Sequence, residues 1–184
     1  MLDDFNDNVK TDWQDFTFVP GFGLPVEANQ QFTFALPPSP IGQALFTASR
    51  KTSQEFQLQN GRTIEFRVDL VDGNGPDAFA VLAFIPTANS LSTLAGYGLA
   101  KSTTDILLTK GIGKYFYNEG VSVKNNNVTL VLTLSAKDGT VTIHGQVLDK
   151  DSGNAVIWEQ TAVDTPGEDV LADGTDSPAV PYLT

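Results

Sequence analysis

A chain of 184 residues falls within the size of a single domain and is long enough to bury a core without disulfide or metal staples. Its 22 acidic residues against 11 basic ones, scattered along the sequence for a net charge of -11, would repel phosphate backbones and anionic headgroups, and no segment approaches the roughly 20 apolar residues of a bilayer span. Nucleic acid and membrane insertion are therefore not expected, and the absence of Cys excludes disulfides and thiolate chemistry.

Met1 runs directly into LDDFND, with neither the positive flank nor the apolar stretch of a leader, so a signal peptide is presumed to have been removed and Met1 added in its place. From there the chain is cut by turn signals: PGFG at 20–23, PPSP at 37–40, NG at 60, DGNGP at 72, KNNN at 124, KDG at 137 and DSGN at 151. Between them, period-two alternation predicts strands over 31–36, 43–49, 54–59, 62–71 and 77–86. It continues over 96–102, 105–111, 114–119, 127–136, 139–149 and 155–163. One turn of helix at most is expected in TANSLSTLAG, 87–96. Short strands at this spacing indicate an antiparallel two-sheet sandwich or a barrel. After Val163 alternation stops and Pro, Gly and Asp accumulate, so residues 1–164 read as the β domain and 165–184 as a loop or linker, cut from something longer.

The stretch RTIEFRVDL (62–70) alternates Ile64, Phe66, Val68 and Leu70 with Thr63, Glu65, Arg67 and Asp69, the pattern of a strand with one buried and one wetted face. Two acids on one face raise the question of glycoside hydrolysis, which in retaining enzymes needs carboxyls about 5–5.5 Å apart, one of them an acid of raised pKa. Four residues of strand separate Cα atoms by about 13 Å, and an arginine between two acids favours their ionised forms. A charge ladder on a solvated face is the simpler reading.

The opening DDFNDNVKTDW (3–13), the segment LAKSTTDILLTK and the hairpin NVTLVLTLSAKDGTVTIHGQVLDKDSGNAVIWEQT (127–161) resemble the concanavalin A-like lectin and glucanase superfamily in strand order and turn style. The resemblance implies a jelly-roll sandwich with one concave and one convex sheet. Its hydrolytic branch carries Glu-x-Asp-x-Glu on the catalytic strand, where this chain has Glu65-x-Arg67-x-Asp69, a departure that argues for a non-catalytic carbohydrate-binding module. A hydrolase or lyase using Glu65 and Asp69 is the alternative, and a structural or adhesive surface module without a small ligand is the third.

The resemblance also implies that the concave sheet holds a glycan. Such sites combine aromatic platforms with planar hydrogen-bonding groups. Trp158, Tyr115 and Tyr117 are the aromatic candidates, and Arg67, His144 and Gln146 the polar ones. His144 is the sole histidine; it shares a face with Thr142 and Gln146, and without partner ligands it builds no zinc site and no Ser/His/Asp array. Calcium is the one metal to weigh. Asp149, Asp151 and Asn154 read as a hairpin turn, while the resemblance implies a structural Ca2+ between Asp3 and Asp4 and a later strand, with Asp164 as the candidate partner. KGIGKY (110–115) lacks the spacing of a phosphate loop, and the sequon at Asn127 matters only in a eukaryotic secretory route. An extracellular or cell-surface bacterial module is the expectation.

Overall fold

The computed structural model describes residues 7, 9–10, 13–17, 26–33, 47–51, 58–71, 80–86, 97–101, 105–110, 114–119, 127–165 and 179–183. Among these the chain is all-β. A seven-stranded sheet contains β1 (Trp13–Thr17), β4 (Thr47–Lys51), β6 (Ala80–Pro86), β7 (Tyr97–Lys101), β8 (Ile106–Lys110), β9 (Lys114–Glu119) and β13 (Ala179–Leu183). Its spatial order is β1-β4-β13-β6-β7-β8-β9. A four-stranded sheet, ordered β12-β11-β10-β5, is built from β5 (Thr63–Val71), β10 (Asn127–Lys137), β11 (Thr140–Asp149) and β12 (Ala155–Asp164). The short pair β2 (Val26–Ala28) and β3 (Gln31–Thr33) stands apart, and every pairing is antiparallel.

The β10–β11 hairpin shows how sequence becomes geometry. Lys137 pairs with Thr140 across a two-residue loop in which Asp138 (φ 51°) and Gly139 (φ 80°) are both left-handed. That is the type I′ turn whose twist matches its strands, and Asp-Gly is among the pairs that tolerate it best. The loop is held by Thr140 Oγ1 donating to the Lys137 carbonyl at 2.8 Å and by the Asp138 amide donating to Asn60 Oδ1 at 2.9 Å. The second contact ties it to the Asn60-Gly61 turn before β5.

From that turn the register of β10 runs unbroken against β11 on one side and β5 on the other. Val128, Leu130, Leu132 and Leu134 therefore face one side, and all are fully buried. They join Phe66, Val141, Ile143, Val147 and Trp158 of the same sheet and Tyr97, Leu99, Ile106 and Leu108 of the seven-stranded sheet in one apolar cluster. The two sheets thus share a core, consistent with a β-sandwich. β10 approaches β7, β12 approaches β9 and β5 approaches β6, so the four strands lie over the β9-to-β6 half of the larger sheet in matching order. Burying an aliphatic side chain of this size contributes about 1.5–3 kcal/mol, which makes this cluster the main source of stability among the described residues.

The structure differs from the expected elements at three places. The tail read as loop or linker from 165 onward supplies β13, which lies between β4 and β6. Pro181 sits within it opposite Phe84, and pairing with β4 is confined to Tyr182 and Leu183, beyond the proline that lacks an amide donor. β1 was not foreseen because Trp13 and Phe16 are out of phase for period two; its partner β4 is brought from more than thirty residues away. Of the strand expected over 54–59 only Leu58 and Gln59 are among the described residues, and neither is in a strand; the turn of helix expected over 87–96 lies wholly outside the described residues.

Gly145 lies at the closest approach of the sheets. A Cβ there would stand 3.2 Å from Leu108 Cδ1, Leu99 Cδ1 and Trp158 Cζ3 at once. Replacement Gly145→Val is expected to destabilise the fold by about 1–3 kcal/mol through overpacking, and Leu132→Ala, its partner in β10, by about 2–5 kcal/mol through cavity formation. Denaturant titration checks both; a neutral Gly145→Val would mean that the sheets are not in contact there.

Candidate functional site

The odd-numbered residues of β5 and β10 and the even-numbered ones of β11 fall on the face of the four-stranded sheet away from the core, because successive side chains of a strand alternate in direction. Three rows cross this face in register. Thr63, Ser135, Thr142 and Val163 form one; Glu65, Thr133, His144 and Thr161 the next; Arg67, Val131, Gln146 and Glu159 the third. The structure therefore brings Glu65, Arg67, Asp69, His144 and Gln146 onto one surface.

Its two margins differ. On β5, Arg67 Nε donates to Glu65 Oε1 at 2.8 Å, with both side chains about half exposed. Asp69 accepts from Thr129 Oγ1 at 2.7 Å and from Lys150 Nζ at 2.5 Å. Partial burial acts to raise the Asp69 pKa, but the hydrogen bonds from Lys150 and Thr129 and the charges of Lys150 and Arg67 outweigh it and hold the carboxyl below its ordinary value. Asp69 is thus held ionised, and Glu65 is bound to a guanidinium. A general acid needs the opposite shift.

On β11 and β12 the side chains bind one another. His144 Nδ1 and Thr161 Oγ1 are 2.8 Å apart, Gln146 Nε2 donates to Glu159 Oε2 at 3.3 Å, and His144 Nε2 lies 3.9 Å from the same carboxylate oxygen. An imidazole, an amide, a carboxylate and a hydroxyl thus occupy facing positions on two adjacent strands, anchored but open to water. Between the margins Val131 and Thr129 are buried, so Arg67 does not join this group. Glu159 and Thr161 escaped sequence reading because nothing local identifies the cross-strand partner of His144 or Gln146; only the register does.

Trp158 is corrected as a stacking platform. It lies 7% exposed in the core, its ring beside Gly145. Trp158 pairs with core-facing Val147, in phase with Ala162 and Asp164, and so points inward; the register shift that follows leaves Ile157 without a partner in β11 and turns Val156 outward. Tyr115 and Tyr117 belong to β9, on the other sheet, and their side chains lie outside the described residues; Phe116 between them packs on the core, 6.4 Å from the Tyr97 ring.

Asp164 ends β12 on the core side, 4% exposed, with Lys110 Nζ at 2.7 Å and the Tyr97 hydroxyl donating at 2.8 Å, both to Oδ2. Its charge is balanced by a buried ammonium, a poor fit to calcium coordination. Asp3 and Asp4 lie outside the described residues, among which no group of three or more His, Asp or Glu is gathered as a metal site. The 149–154 stretch is the turn it resembles in sequence: Asp149 Oδ1 accepts the amides of Asp151 and Ser152, and Gly153 and Asn154 are left-handed.

No protein-family model, curated protein or solved structure matches this chain.

The depressed Asp69 pKa carries a sign. A carboxyl whose folded value lies below its ordinary 3.8 adds stability above that pH and loses it as pH falls through the folded value. Lys150→Met is expected to move the Asp69 titration upward toward 3.8, read by carboxyl-detected NMR; an unmoved midpoint would remove Lys150 as the cause.

Proposed function

We propose that the chain is a non-catalytic module of an extracellular or cell-surface protein, a jelly-roll of the concanavalin A-like kind, that recognises an uncharged glycan through the β11–β12 margin of its four-stranded sheet. The observation carrying this reading is the facing set His144, Gln146, Glu159 and Thr161, whose planar groups and hydroxyl are held by mutual contacts while remaining accessible. Side chains already fixed by neighbours lose little freedom when they bind hydroxyl groups. The net charge of -11 disfavours an anionic ligand. Against a hydrolase or lyase stand the Arg67–Glu65 pair and the lowered Asp69. A structural Ca2+ held at the chain start by Asp3 and Asp4 belongs to this proposal as a support of the fold, while Asp164 is committed to Lys110.

A structural or adhesive module without a small ligand is the second reading. It is favoured by the burial of Trp158, which leaves His144 as the only ring on the described part of this face.

A glycan array with and without EDTA, followed by a reducing-end assay on each hit, separates these. Binding without product release is expected. Gln146→Ala and Glu159→Ala should each weaken it about tenfold, the equivalent of one hydrogen bond to a charged group. Arg67→Ala, two strands away, should change it less. Silence across the array would favour the structural reading, and released sugar abolished by Glu65→Gln would return Glu65 and Asp69 to the centre.

A further inference from the structure

The core contains a second constellation that the outer face does not use. Lys110 on β8 and Asp164 on β12 come from opposite sheets, 0% and 4% exposed, with Nζ and Oδ2 2.7 Å apart. The Tyr97 hydroxyl donates to that same oxygen. Lys110 is directly opposite Tyr97 in the β7–β8 ladder, so the amine, the carboxyl and the phenol are fixed by sheet register, not by flexible loops. Burying an ion pair is expensive, and well-packed neutral groups often serve a core as well or better. Converting the pair to an amide removes both charges and expels one water from an apolar site.

We infer that Lys110 and Asp164 form an intramolecular amide crosslink between the two sheets, with Tyr97 as the proton donor to the departing oxygen. Transfer of one proton from Nζ to the carboxylate gives a neutral amine and a neutral acid. The nitrogen lone pair attacks Cγ, forming the C–N bond. Oδ2, carrying its proton and a second one from the Tyr97 hydroxyl, leaves as water when the C–Oδ2 bond breaks; the carbonyl re-forms at Oδ1, and the nitrogen returns a proton to the Tyr97 oxygen. Nothing is oxidised or reduced, and the sum is amine plus acid giving amide plus water. Preorganisation of the reacting groups supplies the advantage that a free amine and acid in water lack. Such a bond would join β8 to β12 and prevent the sheets from separating, which suits a module exposed to mechanical load or proteases.

Intact-mass spectrometry of the full chain, purified and denatured, tests this directly. The expected mass is one water below that of the sequence, with tandem spectra of a digest showing the Lys110 segment joined to the Asp164 segment. Lys110→Arg and Asp164→Ala should each restore the full mass, and Tyr97→Phe should slow formation so that both species are seen. Succinimide at Asp72-Gly73, Asp138-Gly139 or Asp173-Gly174 would also lose water but reopens in mild base. A deficit that disappears on such treatment, or a full mass in the wild-type chain, overturns the crosslink.

Discussion

The register of β10 between β5 and β11 is the constraint on which the described structure depends. Side chains alternate along a strand with a period of two, so a slip of one residue would exchange Leu130, Leu132 and Leu134 with Val131, Thr133 and Ser135 and move the whole apolar set to the opposite face. The Asp138-Gly139 turn sets that register on one side, and the Asn60 contact to its amide couples it to the other. Core and outer surface are two consequences of one pairing: the residues that pack on β7 and β8 and those that meet His144 and Gln146 are interleaved in the same strands.

The polar groups fall into two environments with different consequences. On the outer face Arg67–Glu65 and Lys150–Asp69 are solvent-screened pairs, and pairs of this kind contribute little to stability. At Asp69 the effect is on ionisation: the hydrogen bonds and charges of its neighbours hold the carboxyl below its ordinary value, the opposite of the shift a general acid needs. In the core, Lys110, Asp164 and Tyr97 are shielded from water, and the same types of group become a chemically loaded arrangement. Exposure, more than residue type, separates a charge ladder from a reactive cluster in this chain.

Several features were readable from the residues. The alternation in 62–71 and 127–149, the turn residues at 60–61, 138–139 and 151–154, and the polar company of His144 all follow from local pattern, since pleat and turn preference act over a few residues. β1 and β13 were not readable in this way: Trp13 and Phe16 break the period, Pro181 argues against a strand, and both segments acquire pairing partners from distant parts of the chain. Trp158 was ambiguous for a related reason. Its direction follows from pairing with core-facing Val147 in β11, a cross-strand partner that nothing in AVIWEQ marks.

By itself, then, the sequence determined an all-β antiparallel chain, the buried and wetted sides of its long strands, and the acidity that disfavours anionic partners, because each of these is set by composition or by a repeat of two residues. Tertiary structure alone decided that Glu159 and Thr161 stand beside Gln146 and His144, that Trp158 turns inward to join the core cluster, and that Lys110 meets Asp164 across the core. Those neighbours are separated by between thirteen and several tens of residues, and the spacing that unites them is the hydrogen-bonded distance between strands and the contact distance between sheets, neither of which a linear pattern encodes.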